Sequence, residues 1–282
     1  MSEHKAAVVQ MVSTANLDDN LAAADRLVSE AVKQGASLVL LPENFAVLDG
    51  GPLADRAERE GDGNAPLQLF LSRLARTHGI WLVGGTMPML TRPRQGEEQA
   101  EVLTDGRVRP ASLVFDSEGR QVARYDKIHL FDVQVDDGQA QYSESRSFEP
   151  GEKVETVATP VGRVGLSICY DLRFPELYRR LLEAGADILT VPSAFTQVTG
   201  AAHWEVLLRA RAIENQCYVL AANQGGVHNA RRETFGHSMI VDAWGRVLAT
   251  VEKGEGVAVA DIDHAELYEL RRKMPVQQHR RL

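Results

Sequence analysis

Residues Val164–Gly185 read "VGLSICYDLRFPELYRRLLEAG". The apolar run that ends at Ile168 has the pattern of a buried strand, and Pro175 opens a helix, where its fixed φ is already helical. The chain must therefore turn sharply between Cys169 and Pro175. Such a turn leaves backbone N–H groups beside the thiol, notably that of Tyr170. A strand that feeds a helix through this seam is part of an α/β crossover, so the fold is expected to be layered α/β. The seam also has a chemical meaning, because free N–H groups there stabilise an oxyanion and lower a thiol pKa.

Working outward, the N-terminal third alternates strand and helix. Lys5–Met11 reads as a buried strand. A helix from Leu17 carries Leu21, Ala24, Leu27, Val28, Ala31 and Val32 on one face, and Gly35 stops it. Ser37–Glu43 is a second strand, Pro66–His78 a second helix and Ile80–Gly85 a third strand. From Ser112 the period changes to two, which predicts a hairpin turning at Ser117–Gly119 and another turning at Pro160–Gly162. Alternation returns through Pro175–Glu183, Asp187–Val191, His203–Asn215 and Cys217–Ala222. Two short strands flank Asp242–Val247, and a last helix begins near His264. Crossovers and hairpins together predict a mixed sheet, or two sheets, covered by helices. No Ser/Gly linker or fixed-period repeat divides the chain. One domain over residues 1–282 is expected, with a core of about 5–261 and a C-terminal helix and tail over 262–282. Two polar stretches, Asp49–Asn64 and Thr91–Arg109, have the length of functional lids.

The 282 residues are 44% hydrophobic and 25% charged, a globular balance, with a net charge of −8 that argues against nucleic-acid binding. No apolar run is long enough for a membrane span, and "MSEHKAAVVQMV" lacks the apolar core of a secretory signal. With only Cys169 and Cys217, reduced thiols in a cytoplasmic protein are expected. Neither metal-ligand spacing nor a P-loop is present, so no cofactor is expected.

Three ionisable residues stand where strands stop: Glu43, Lys127 and Cys169. Singly, each has an ordinary account as a cap, an edge charge or a small core residue. A nucleophilic thiol needs a base, and none of the eight histidines lies in a context that pairs it with Cys169. A carboxylate such as Glu43 could serve instead, with a lysine supplying positive charge to an oxyanion.

"LPENF" (Leu41–Phe45), "YDKIHLFDV" (Tyr125–Val133) and "GLSICYDLRFPELYR" (Gly165–Arg179) together resemble the nitrilase superfamily of carbon–nitrogen hydrolases, over about Lys5 to Asp261. That resemblance implies a four-layer α-β-β-α sandwich, a homodimer or larger homo-oligomer, and a catalytic triad of Glu43, Lys127 and Cys169. "QYSES" (Gln141–Ser145) matches the element that supplies a second glutamate, Glu144. It could hold Lys127 or meet the departing nitrogen. Lys127 and the Tyr170 N–H would bind the oxyanion.

"AFTQVTGAAHWEVLLRARAIEN" (Ala194–Asn215) and "HNARRETFGHSMIVDAWG" (His228–Gly245) resemble the Nit subgroup of that superfamily, which implies hydrolysis of deaminated glutathione to 2-oxoglutarate and cysteinylglycine. An anionic substrate calls for a cation near the thiol. Arg173 fits this role, unless it is tied to Asp171 or Glu176 in a salt bridge. The Thr199 hydroxyl could add a hydrogen bond, with Phe195 and His129 as wall candidates. The alternatives are an ω-amidase or another small-amide or carbamoyl hydrolase, a papain-like thiol hydrolase using histidine, and a silent binding or scaffold domain.

Overall fold

In the strand Lys5–Gln10 neighbouring side chains part company: Ala6 and Val8 join one core cluster, Ala7 and Val9 another. Both faces are buried, which is why the strand reads as a continuous apolar run rather than an alternating one. This computed structural model describes residues 4–49, 51–92 and 101–281.

The strand sits in a seven-stranded mixed sheet. Its order is Gly256–Asp261, Lys5–Gln10, Leu38–Leu40, Trp81–Val83 and Arg109–Phe115; Met87–Met89 and Gln121–Asp126 also pair with the last of these. Helices α1 (Leu17–Lys33) and α2 (Pro66–His78) cover its outer face. Leu27, Val28, Phe70 and Leu71 pack there against Ala7, Val39 and Leu82. Asn16 caps α1 by accepting hydrogen bonds from the Asp18 and Asp19 N–H groups, as a first turn requires.

A six-stranded sheet runs Thr156–Thr159, Gly162–Leu166, Ile188–Thr190, Tyr218–Ala221, Ser238–Val241 and Val247–Val251. Its outer cover is α3 (Pro175–Glu183) and α4 (Gln197–Asn215), and α5 (His264–Lys273) follows the last strand. Leu38, Leu40 and Val114 of the first sheet share one cluster with Leu166, Leu189 and Leu220 of the second. The layers are thus helix, sheet, sheet, helix. Each such leucine gains roughly 1.5–3 kcal/mol from burial, and those at the seam between the sheets are fully buried.

Most expected elements are present, and the differences have local causes. Helix α4 starts at Gln197, six residues before His203, because the Thr196 hydroxyl caps it by accepting from the Thr199 N–H. The Val, Thr and Gly of that first turn are weak helix formers and mask the start. Gly256–Asp261, unassigned from sequence, is an edge strand whose partner Lys5–Gln10 lies at the other end of the chain. The stretch Asp49–Asn64 contains a short 3-10 turn, Leu53–Arg56. Within Thr91–Arg109, Thr91–Arg92 pairs with Glu101–Val102, and Arg109 is a fully buried strand residue. Residues 93–100 of that stretch lie outside the described residues. Among the described residues no helix is long and apolar enough to cross a membrane.

The arrangement matters for chemistry because parallel strands of both sheets end on one side. Glu43 lies shortly past the Leu38–Leu40 strand and Cys169 shortly past Gly162–Leu166. Two packed sheets therefore bring the two residues to a common edge.

Candidate active site

Glu43 leaves its strand on a tightly held loop. The Leu41 N–H donates to the Val83 carbonyl at 3.0 Å, and the Gln224 side-chain amide donates to the Glu43 carbonyl at 3.0 Å. Beside them Gly85 has φ +58°, and a Cβ there would stand 2.1 Å from the Pro42 carbonyl oxygen. Only glycine permits that approach. The buried carboxylate then bridges the sheets: one oxygen accepts the Ala194 N–H at 2.9 Å and the other the Lys127 ammonium at 3.0 Å.

Lys127 is fixed at both backbone groups, donating to the Pro110 carbonyl (2.9 Å) and accepting from the Gly151 N–H (2.7 Å). Its side chain is 1% exposed, and its ammonium also meets both oxygens of Glu144, at 3.0 and 2.8 Å. Glu144 is held in turn by the Phe131 N–H at 2.8 Å. Burial alone would lower the Lys127 pKa, but the charges of Glu144 and Glu43 overcome it and hold the pKa well above the usual lysine value. Its three contacts, one to Glu43 and two to Glu144, match the three donors of an ammonium.

Cys169 adopts a left-handed backbone, φ 47°, rare for a side-chain-bearing residue and of order 1–3 kcal/mol uphill. Its N–H donates to the Pro192 carbonyl at 2.9 Å, and the 3-10 turn Cys169–Arg173 begins there. Tyr170 is in the first turn, where N–H groups have no internal partner. The fully buried Asp171 anchors the turn. It accepts the Ile168 N–H (2.9 Å), the Tyr125 hydroxyl (2.7 Å) and the His129 N–H (3.0 Å), and its carboxylate pairs with His129 Nδ1 at 2.7 Å. It thereby ties the cysteine turn to the lysine segment, a role the sequence reading missed.

The thiol pKa departs from the sequence expectation. Burial pushes it up, the Glu43 charge adds to that, and the Lys127 charge only partly opposes them, so it lies well above the usual cysteine value. Free amides at the turn do not outweigh desolvation. The thiol therefore rests protonated, next to a carboxylate.

These groups meet at a cavity of about 600 Å³. Glu43, Glu144, Cys169 and Tyr170 line it, with Arg173, Phe195 and Thr199 on the same wall. Lys127 lies behind the carboxylates. His129 is not in the wall: besides its Asp171 contact, its ring stacks on Phe174 at 3.7 Å. The alternative reading of Arg173, a salt bridge to Asp171 or Glu176, is not met among the described residues, and Asp171 is committed elsewhere. The guanidinium lies over the Phe195 ring (5.3 Å) and the Tyr170 ring (5.9 Å), with Nη1 3.2 Å from His203 Nδ1. Thr199 shares a hydroxyl hydrogen bond with Thr196 at 2.9 Å. Two further arginines line the cavity that were not singled out from sequence, Arg56 in the short turn Leu53–Arg56 and Arg232 in the segment after His228. Cys217, by contrast, is a wholly buried core thiol, as its apolar run implies.

The family model described as carbon-nitrogen hydrolase matches residues 5–272. A deaminated glutathione amidase of Yersinia enterocolitica is 44% identical over 281 residues, covering 100% of this chain and 94% of that protein. Among solved structures, Saccharomyces cerevisiae Nit3, a member of branch 10 of the nitrilase superfamily, superposes with a TM-score of 0.85 at 31% identity, covering 100% of this chain and 97% of that one. The C. elegans NitFhit protein superposes with a TM-score of 0.85 at 39% identity; it matches all of this chain, which spans 66% of its length.

Proposed function

Because this chain belongs to the carbon-nitrogen hydrolase family, we propose that it is a thiol amidase that cleaves deaminated glutathione through Cys169. The observation that carries this reading is the buried Lys127 ammonium clamped between Glu43 and Glu144 at the same cavity as Cys169.

The resting thiol is protonated, so attack needs a base at the moment of bond formation. Glu43 takes the Sγ proton while sulfur adds to the amide carbon. The oxyanion receives the Tyr170 N–H and one donor of Lys127, which turns to it from the two-oxygen contact with Glu144. As the tetrahedral species collapses, the C–N bond breaks, Glu43 returns the proton to the nitrogen, and cysteinylglycine leaves. Glu43 next takes a proton from water, hydroxide adds to the thioester, and the C–S bond breaks as Glu43 returns that proton to Sγ, giving 2-oxoglutarate and the free thiol. Glu144 keeps the ammonium in place through this cycle. Arg173 binds the carboxylate of the 2-oxo acid end, since it is on the same turn as Cys169 and has no carboxylate partner among the described residues. Thr199 assists it.

The whole chain acts as one domain, in the cytoplasm, and assembles at least as a homodimer. Support for the substrate comes from the relative whose curated name carries that activity. Measuring 2-oxoglutarate release from deaminated glutathione and from 2-oxoglutaramate tests it. A kcat/KM at least tenfold higher for deaminated glutathione, abolished in Cys169→Ala, is expected. Faster turnover of the simple amide would make the protein an ω-amidase.

A further inference from the structure

Arg173 is not the one unpaired arginine of the cavity among the described residues. On the far wall the segment Leu53–Arg56 packs against the strand Met87–Met89, and the Glu58 N–H donates to the Pro88 carbonyl at 3.1 Å. That wall therefore belongs to the first sheet, whereas Arg173 and Phe195 belong to the second. Arg56 is half-buried and lines the cavity from this side. Among the described residues no carboxylate lies within ion-pair reach of its guanidinium.

The cavity's own acids do not fill that gap. Glu43 and Glu144 hold Lys127. Asp49 takes Arg232 at 2.8 Å and the Asn229 amide at 2.9 Å. Glu58 accepts the Leu67 N–H, the Gln68 N–H and the Gln68 side chain. Asp55, beside Arg56 in sequence, is exposed to water. Arg232 is neutralised by Asp49, so Arg56 and Arg173 are the two cavity arginines with charge left for a ligand.

We propose that Arg56 is a second anion subsite, which binds the terminal carboxylate of a peptide-like leaving group. This rests on the amidase reading above and specifies its substrate as an amide with an anion at each end. Geometry in the substrate class agrees. The acyl carboxylate of a five-carbon 2-oxo diacid lies four bonds from the scissile carbon, on the acyl side of the bond, and Arg173, on the same turn as Cys169, is its anchor in the reading above. A dipeptide leaving group puts its carboxylate about 7 Å beyond the scissile nitrogen when extended. Because that carboxylate leaves the scissile bond in the direction opposite to the acyl one, it needs an anchor other than Arg173. A planar guanidinium binds a carboxylate through two parallel hydrogen bonds, which gives orientation as well as affinity. The site thereby distinguishes a dipeptide leaving group from ammonia without any change near the thiol.

The test is steady-state kinetics of wild type, Arg56→Ala and Arg56→Lys on three amides with the same acyl half. These are deaminated glutathione, its form with an amidated glycine terminus, and 2-oxoglutaramate. Arg56→Ala is expected to lower kcat/KM for deaminated glutathione on the order of 10- to 100-fold, mainly through KM. It should leave the other two amides unchanged, and Arg56→Lys should recover part of the loss. Unchanged turnover of 2-oxoglutaramate also shows that the variant is folded. Equal kinetics of Arg56→Ala and wild type on deaminated glutathione, or an equal loss on all three amides, overturns the subsite and leaves the amidase reading intact. Failure of the wild type to cleave deaminated glutathione, while it still cleaves 2-oxoglutaramate, overturns the substrate reading and the subsite with it.

Discussion

Lys127 shows why a buried cation is tolerated at one point of an otherwise apolar seam. An isolated ammonium would be expelled or deprotonated, and it stays charged here because two carboxylates face it. Its removal strands the negative charge of Glu43 in the interior. Lys127→Met should therefore lose about 3 kcal/mol of stability, read as a fall in the urea midpoint. In the proposed mechanism it should also lose on the order of 100-fold or more in kcat. Normal activity in a folded Lys127→Met protein would remove the oxyanion role. Asp171 acts one step further back. Asp171→Asn gives up an acceptor that serves four donors, and a kcat at least tenfold lower with little change in KM is expected from stopped assays with the amide substrate. A change in KM alone would place Asp171 outside the positioning of the thiol.

At the scale of elements, the site depends on loops that leave strands at fixed angles. Gly85 is the clearest case, because its backbone passes against the Pro42 carbonyl that precedes Glu43. Gly85→Ala should shift that loop, and both thermal stability and turnover should fall; a variant with wild-type Tm and rate would show that the contact relaxes freely. Such loops also explain what could be read from sequence. Glu43, Lys127 and Cys169 were legible as candidates because the three motifs that hold them together resemble one family; singly, each strand-end residue had an ordinary account. Asp171 was not, because its partners at Tyr125 and His129 are distant in the chain and its burial is set by packing. Arg173 was legible as a cation near the thiol, yet its surroundings were not. Competition for Asp171 decides them, and no spacing rule reports that. The same limit hid Gly256–Asp261, a strand defined by its pairing with the N-terminal strand. Helix α4 was read as His203–Asn215 from the return of helix–strand alternation, and its first turn with the Thr196 cap was missed.

At the scale of the whole molecule, two packed sheets and their helix covers set how the protein responds to pH. Burial raises the pKa of both thiols, that of Cys217 to about 12. In the unfolded chain they ionise near pH 8.5, whereas in the folded chain they do not. The folded state then binds more protons, so stability is complete below about pH 8.5 and falls as pH rises toward 12, by up to about 1.4 kcal/mol per unit per thiol. Lys127, raised for a different reason, adds a loss of the same sign at higher pH. Urea midpoints measured at pH 8 and pH 10 should decline, and Cys217→Ala should decline less steeply. A parallel decline in both proteins would mean that the Cys217 thiol is not shielded in the native state.

The central claim is covalent: the carbon–nitrogen bond is exchanged for a bond to Cys169 and then hydrolysed. Acid quenching of the wild-type protein during turnover of deaminated glutathione, followed by peptide mass spectrometry, tests this most directly. The account predicts a 2-oxoglutaryl thioester on the peptide that contains Cys169, and neither adduct nor product with Cys169→Ala. Product formation by Cys169→Ala at the wild-type rate, or an acyl group on any other residue, would contradict it.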